Sequence, residues 1–181
     1  MADVLVPPSS WAAIRAHTGA IGAGDEEHEG PSRDDAEEGR YTAMKAWLDE
    51  RGEAPHEYLL RIAAWGAGDG LALEPCIVPY ALERGLEHWV LWFDPRRHPP
   101  AEDLPDADAV REALGRWLGG VELAEEWLVW YENPAAKRSV PAIRHLHVFL
   151  NLQAAPPAAA AAASQLREAW AGRSEWLAEE R

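Results

Sequence analysis

The segment RSVPAIRHLHVFLNL, residues 138–152, decides the fold, because its apolar and β-branched residues are typical of a buried strand. Side chains two residues apart in a strand lie on the same face of the sheet. One face would then carry His145, His147 and Phe149. The other face would carry three apolar side chains that enter a core: Leu146, Val148 and Leu150. A pair of histidines on one sheet face is therefore the first candidate for a functional site.

Composition indicates a soluble globular protein. The chain has 181 residues, of which 48% are hydrophobic and 27% charged, enough for one domain with a sizeable core. Its formal charge is −14, and the segment DEEHEGPSRDDAEE, residues 25–38, carries eight of the acidic residues. We interpret this segment as a flexible acidic loop at about 24–38. Because an acidic surface repels nucleic-acid phosphates and anionic lipids, neither is expected as a partner.

The chain shows no sign of secretion or membrane insertion. Cys76 is the single cysteine, so no internal disulfide can form, which fits a reducing compartment. Residues 1–8 are too short and too rich in proline for a secretory signal, and no segment is long enough to span a bilayer. A cytoplasmic location is the expectation.

The pattern of elements predicts a single α+β domain, mostly an antiparallel sheet flanked by helices, over residues 1–150. Ser9 or Ser10 is expected to cap a first short helix. Residues 151–181 are interpreted as an Ala/Pro-rich linker followed by a C-terminal helix. Helices are predicted within 37–52, 55–65, 106–120 and 164–181, and strands within 72–80, 85–94, 125–133 and 139–152.

Several short motifs in the middle of the chain resemble the N-acetylglucosamine-induced protein family, a mainly fungal domain of unknown function. They are PCIVPYALERGLEHWVLWF at 75–93, EEWLVWYENPAAKRSV at 125–140 and IRHLHVFL at 143–150. The resemblance extends, more weakly, to Trp11, Ile14 and Tyr41. It implies a shared fold and no particular reaction, because the chemistry of a fold resides in its site.

The same order of motifs is more distantly similar to histidine-triad nucleotide-binding proteins. That resemblance implies that His147 attacks a phosphorus atom and that His145 orients the strand. It also implies a pocket in which Asn133 and Ser139 bind ribose or phosphate oxygens and Lys137, Arg138 or Arg144 offsets negative charge. The chain departs from the pattern in two ways: Phe149 replaces the third histidine, and four extra residues precede the histidine pair.

The resulting hypothesis is a pocket that binds a phosphorylated small molecule, such as a nucleotide or sugar phosphate, with hydrolysis or transfer of a phosphoester left open. His145 and His147 are the candidate catalytic residues. The candidate substrate-binding residues are Tyr80, His88, Trp92, Asn133, Ser139, Arg138 and Arg144. Tyr80, Trp89, Trp92 and Trp130 are candidates for an aromatic wall, and at least two of them are expected to be ordinary core.

Two alternatives stand beside this hypothesis. The histidines could be structural, in a non-catalytic sensor or a subunit of an assembly with a protein partner. They could also bind a metal, with His88, Glu83 or Glu87 as third ligand. No cofactor is indicated by any motif, and the glycine-rich GAGDG at 66–70 lacks the features of a phosphate loop.

Overall fold

The computed structural model describes residues 7–66, 68–100 and 106–179. In that part of the chain, six α-helices surround one four-stranded sheet, which confirms the predicted α+β domain with an antiparallel sheet. The helices are α1 Trp11–Gly22, α2 Asp35–Arg51, α3 Pro55–Ile62, α4 Ala107–Trp117, α5 Pro157–Ala171 and α6 Glu175–Glu179. The strands are β1 Leu71–Pro75, β2 Leu86–Phe93, β3 Leu128–Tyr131 and β4 His145–Asn151.

The histidine strand β4 lies inside the sheet, whose order is β1-β2-β4-β3 with every neighbouring pair antiparallel. The register places His147 between Val90 of β2 and Tyr131 of β3. His147 is thus flanked by a strand on each side, and its backbone groups are used in the sheet.

Both faces of the sheet are covered. Leu146, Val148 and Leu150 pack into one core, as the alternation of the sequence predicts, together with side chains of α4 and α5. His145 and His147 lie on the opposite face but are only 2% and 7% exposed. Side chains of α2, α3 and the C-terminal helices form a second core on that face.

Local sequence signals explain where helices begin and end. Ser10 caps α1, as predicted, and its hydroxyl accepts a hydrogen bond from the Ala13 N–H at 3.2 Å. Asp34 caps α2 in the same way, and Gly52 ends that helix with φ at 62°, a conformation that favours glycine. Because of the Asp34 cap, α2 begins inside the acidic segment, at Asp35.

The alanine run at 158–163, interpreted from the sequence as part of a linker, lies within the first turns of α5. Alanine has the highest helix propensity, and Pro157 occupies the first helical position, where its missing N–H costs nothing. Ala159 and Ala163 are buried in the core below the sheet, so the segment packs as part of the domain. None of the helices in the described part of the chain has the length and apolar character needed to cross a bilayer.

Candidate functional site

The centre of the histidine face is a chain of hydrogen bonds between side chains of β2, β4 and the segment after β3. His88 Nε2 lies 2.8 Å from His147 Nδ1, and His147 Nε2 lies 2.8 Å from the side-chain amide of Asn133. The predicted site residues His88, Asn133 and His147 are therefore brought together. Both ring nitrogens of His147 are occupied by these contacts.

The position of the protons follows from one backbone group. The Tyr80 N–H donates to His88 Nδ1 at 3.3 Å, so His88 carries its proton on Nε2 and donates it to His147 Nδ1. The atom of Asn133 nearest His147 Nε2 is the amide nitrogen Nδ2, at 2.8 Å. Since His147 then carries its own proton on Nε2, we assign the Asn133 amide with its oxygen and nitrogen exchanged, so that the oxygen accepts. This order leaves His147 without a free lone pair.

Tyr80 packs against the hydrogen-bonded series of His88, His147 and Asn133. Its ring stacks on His88 with centroids 4.5 Å apart, and its hydroxyl hydrogen-bonds with Asn133 and Tyr131. Burial raises the pKa of the Tyr80 and Tyr131 hydroxyls, which therefore stay neutral. The predicted residue Tyr80 thus belongs to the site as a packing and hydrogen-bonding partner of the histidines.

Burial keeps the three histidines uncharged. It lowers the pKa of His88 to about 3, with a further contribution from the positive charge of Arg33. The pKa of His147 lies well below its usual value, first because of burial and then because of His88. That of His145 is lowered mainly by burial as well. At neutral pH each imidazole has one N–H and one acceptor nitrogen.

His145 differs from His147 in its hydrogen bonds. Its Nδ1–H donates to the Ile143 carbonyl at 2.9 Å, so its Nε2 is the acceptor nitrogen. Among residues 7–66, 68–100 and 106–179, no hydrogen-bond partner lies on that nitrogen. Because His145 lines a cavity, its Nε2 lone pair is the histidine group available to a ligand.

The cavity lies between the histidine face of the sheet and the helices, and its volume is about 80 Å³. Its walls are mostly apolar, and Trp92 and Trp170 contribute the largest rings. Ser139 lines it and is exposed, so the cavity opens to solvent at that residue. The predicted site residues Trp92, Ser139, His145 and His147 all line this cavity.

Arg33 supplies a positive charge at the cavity. Its guanidinium lies over the ring of Tyr41 at 4.4 Å, and its Nε donates to the Val78 carbonyl at 3.3 Å. Its ion pair with Glu38 is long, 3.6 Å, and Glu38 is largely exposed. Such a pair neutralises the arginine only weakly. The charge therefore remains available to an anionic ligand.

Two predicted cations lie outside this cavity. Arg138 and Arg144 both pair with Glu132, at 2.7 and 2.8 Å, and Arg138 also donates to the Asn133 carbonyl. They hold the segment after β3 in place. Lys137 is also turned away, because its ammonium donates to the Glu26 carbonyl.

Two of the four aromatic candidates are ordinary core, as expected. Trp89 lies on the opposite face of β2 from His88, and Trp130 packs beside the same core. Trp92 and Tyr80 are on the histidine face. Strand alternation accounts for this division, since neighbouring residues of a strand point to opposite faces.

A wider groove of about 430 Å³ lies on the other side of His88 and Tyr80. Its acidic side chains are already engaged: Asp34 caps α2, and Glu37 pairs with Arg40. Glu87 accepts from the Trp89 indole at 2.9 Å and pairs with Arg167. The groove therefore offers a ligand few free polar groups.

The described part of the chain contains no group of three or more His, Cys, Asp or Glu side chains arranged to hold a metal ion. His88 and His147 hydrogen-bond to each other. Of the other proposed third ligands, Glu83 is exposed and Glu87 forms an ion pair with Arg167. The metal alternative thus gains no support from the geometry.

Several residues of the cavity are not predicted by the sequence. Arg33, Tyr41, Met44 and Trp170 reach the cavity from segments distant in sequence, and no motif connects them to the histidine strand. Cys76 also lines the cavity. Burial raises its pKa to about 11, and it donates to the Val78 carbonyl.

Comparison with known proteins supports the resemblance to a domain of unknown function. A family described as "Protein of unknown function (DUF3605)" matches residues 72–151, from β1 through the end of β4. Among solved structures, the crystal structure of HTC1 is similar at 21% identity and a TM-score of 0.49, covering 88% of this chain and 95% of that chain. No curated protein matches the sequence. The N-acetylglucosamine-induced name and the likeness to histidine-triad proteins stay predictions.

Proposed function

We propose that this protein binds a small molecule bearing a phosphate or another acidic group in the cavity of the histidine face, and that it acts as a binding or sensor protein. The observation that carries the proposal is the Nε2 lone pair of His145, which lines an apolar cavity without a protein partner. Trp170, which also lines the cavity, has an Nε1–H that is buried without a partner among the described residues, and a ligand acceptor that satisfies it recovers the cost of burying it.

The hydrogen bonds of His147 favour binding over phosphoester turnover. A nucleophilic imidazole donates one N–H to a fixed acceptor and presents the other nitrogen unprotonated to the substrate. In this site the Tyr80 N–H sets the order: with the Asn133 amide oxygen assigned toward His147, that histidine receives a hydrogen bond from His88 and donates one to Asn133. Attack on phosphorus would need that order to reverse. Catalysis by His147 is accordingly the less supported form of the phosphate hypothesis.

The experiment is a thermal-shift screen of the purified protein against sugar phosphates, nucleotides, small carboxylates and neutral analogues. A ligand that binds only the folded state raises the melting temperature, by an amount that grows with the logarithm of its concentration relative to Kd. We expect a shift with one acidic class in the wild type and in His56→Ala, and no shift in His145→Ala. His56 lies in α3 and does not line the cavity, so it controls for loss of a histidine.

Turnover is checked on the same compounds by measuring released phosphate or nucleoside. The proposal predicts no turnover above background. Turnover by the wild type that disappears in His147→Ala would overturn the binding-only account. A ligand shift unaffected by His145→Ala would move the site away from this cavity.

A further inference from the structure

The polar groups around the cavity have a marked imbalance between donors and acceptors. Arg33, Ser139 and the Trp170 indole are donors, and the Trp170 Nε1–H is buried without a partner among the described residues. The Nε2 of His145 is an acceptor that can become a donor by taking up a proton. A group with several oxygen acceptors matches this set best.

Charge points to the same class of ligand. Arg33 is the cationic side chain that lines the cavity. Its positive charge partly opposes the rise that burial causes in the pKa of Cys76, and it adds to the lowering that burial causes in the pKa of His147. The ion pair of Arg33 with Glu38 is long and solvent-exposed, so it screens little of this field. An arginine is also suited to a carboxylate or phosphate, because its guanidinium can form two parallel hydrogen bonds.

Size and polarity limit the rest of the ligand. The cavity of about 80 Å³ is roughly half the ~150 Å³ that accommodates a benzene molecule. Its walls near the histidines are formed by apolar side chains such as Leu59, Val90 and Trp92. A short aliphatic body fits this space, whereas a nucleoside or a hexose would leave most of its atoms outside.

We infer that the cavity binds a short-chain aliphatic acid, whose carboxylate or phosphate group is bound together with one proton shared with His145. This inference rests on the proposed function and narrows its ligand class. The proton comes from solvent and lies between Nε2 of His145 and an acidic oxygen of the ligand. Both of these atoms are acceptors, and the shared proton lets them form a hydrogen bond. Binding is therefore coupled to the uptake of one proton.

The groups that face His145 determine the pH dependence. They are Arg33, Cys76, His88, Glu132, Arg138 and His147. Cys76 stays protonated and the two histidines neutral near pH 7, while Arg138 and Glu132 are paired with each other. His145 is consequently the group that gains the proton. Affinity should rise as pH falls, by about tenfold per pH unit while a full proton is taken up.

The test is isothermal titration calorimetry with propanoate and methyl phosphate as probes and propan-1-ol as the neutral analogue. Titrations at pH 6, 7 and 8, in two buffers of different ionisation heat, give the number of protons taken up by the wild type. We expect one acid to bind with up to one proton, tightening toward pH 6, and the alcohol to bind weakly or not at all. The two acidic probes distinguish a carboxylate from a phosphate.

Variants locate the proton. His145→Phe keeps a ring beside Trp92 but removes the acceptor, and we expect at least about tenfold weaker acid binding without proton uptake. His56→Ala should bind as the wild type does. If His145→Phe does not fold, acid binding is measured with His145→Gln instead, and the number of protons taken up by the wild type provides the second test.

Three results would overturn the inference. They are acid binding without proton uptake, equal binding of acid and alcohol, and no heat from either acid. If acid and alcohol bind equally, a ligand whose binding depends on His145 would still support the proposed function. A failure of that function would instead appear as the absence of any His145-dependent shift in the broader screen.

Discussion

Individual side chains on the histidine face divide into those that satisfy one another and those that do not. His88, His147 and Asn133 form a closed chain in which each ring nitrogen has a partner. Fully satisfied buried networks of this kind rigidify a core. His145 lies on the same face, but its side chain lines the cavity. The difference lies in single hydrogen bonds, and it separates a structural histidine from a candidate ligand-binding one.

Acid should destabilise the protein through the buried histidines. The pKa values of these histidines in the folded state lie below the unfolded value of 6.5, and that of His88 is about 3. Their contribution to stability is fully present above about pH 6.5 and is lost as pH falls through 6.5 toward the folded-state pKa. Each one costs about 1.4 kcal/mol per pH unit in that window.

Urea unfolding at pH 7.5, 6.5 and 5.5 measures this effect, and His88→Phe isolates one histidine. Phenylalanine preserves the stack with Tyr80 and Phe149, so the fall in unfolding free energy between pH 6.5 and 5.5 should be smaller by about 1 kcal/mol than in the wild type. A fall equal to that of the wild type would show that His88 is not held neutral. Glu74 titrates in the opposite sense and is common to both proteins, so it cancels in the comparison.

Among the elements, α5 is the one that the sequence describes least well. Its alanine run looks like low-complexity sequence, yet Ala159 and Ala163 are 1% and 0% exposed and pack below the sheet. Small residues at these positions allow the helix to lie close to the strands. The run is therefore a packing surface of a helix, which composition alone does not distinguish from a linker.

Enlarging an inward alanine of α5 tests this packing. Ala163→Leu should destabilise the protein by about 1–3 kcal/mol, because extra methylenes do not fit a filled core. Ala161→Leu, on the exposed side of the same helix, should change the unfolding free energy by less than about 0.5 kcal/mol. Equal effects of the two variants in urea unfolding would argue against the docked helix.

The C-terminal helices are joined to β1 by one buried ion pair. Arg173, between α5 and α6, donates to both carboxylate oxygens of Glu74 at 2.7 and 2.8 Å, and Glu74 also accepts from the Ala64 N–H. Glu74 is 1% exposed, and burial raises its pKa to about 7. Removing the arginine leaves a carboxyl group buried beside one backbone donor.

Arg173→Met should accordingly cost about 1–3 kcal/mol in unfolding free energy at pH 7, because Glu74 then takes up a proton and stays in the core as an incompletely hydrogen-bonded neutral carboxyl. Arg167→Met is the matched control, because the pair of Arg167 with Glu87 is partly exposed and should be worth less than about 1 kcal/mol. The double variant Glu74→Leu with Arg173→Met should recover part of the loss. A double variant less stable than Arg173→Met would contradict the account.

Across the whole molecule, the order of helices and strands could be predicted, but the way they enclose the site could not. Alternating residues in β4 indicated both faces of that strand correctly, and Ser10 and Gly52 marked helix ends. Sequence periodicity does not specify which helices cover a face, so the burial of His145 and His147 and the contribution of Arg33 and Trp170 were not predictable. The site is assembled from segments over a hundred residues apart in sequence.

The C-terminal segment should be indispensable for the fold. Trp170 and Trp176 are 2% and 8% exposed and belong to the core that covers the histidine face. A chain that ends at residue 154 would expose that core to water. We expect it to lose the cooperative thermal transition seen by circular dichroism in the full chain. A cooperative transition in the shortened chain would show that residues 155–181 form a separable appendage.

The most direct test of the central claim is nitrogen NMR of the histidine rings, which reports the protonation of each ring nitrogen. The account predicts protons on Nε2 of His88 and His147 and on Nδ1 of His145, with an unprotonated Nε2 at His145 that responds to ligand. His147 with its proton on Nδ1 and an unprotonated Nε2 would contradict the account, because that is the tautomer a nucleophile requires.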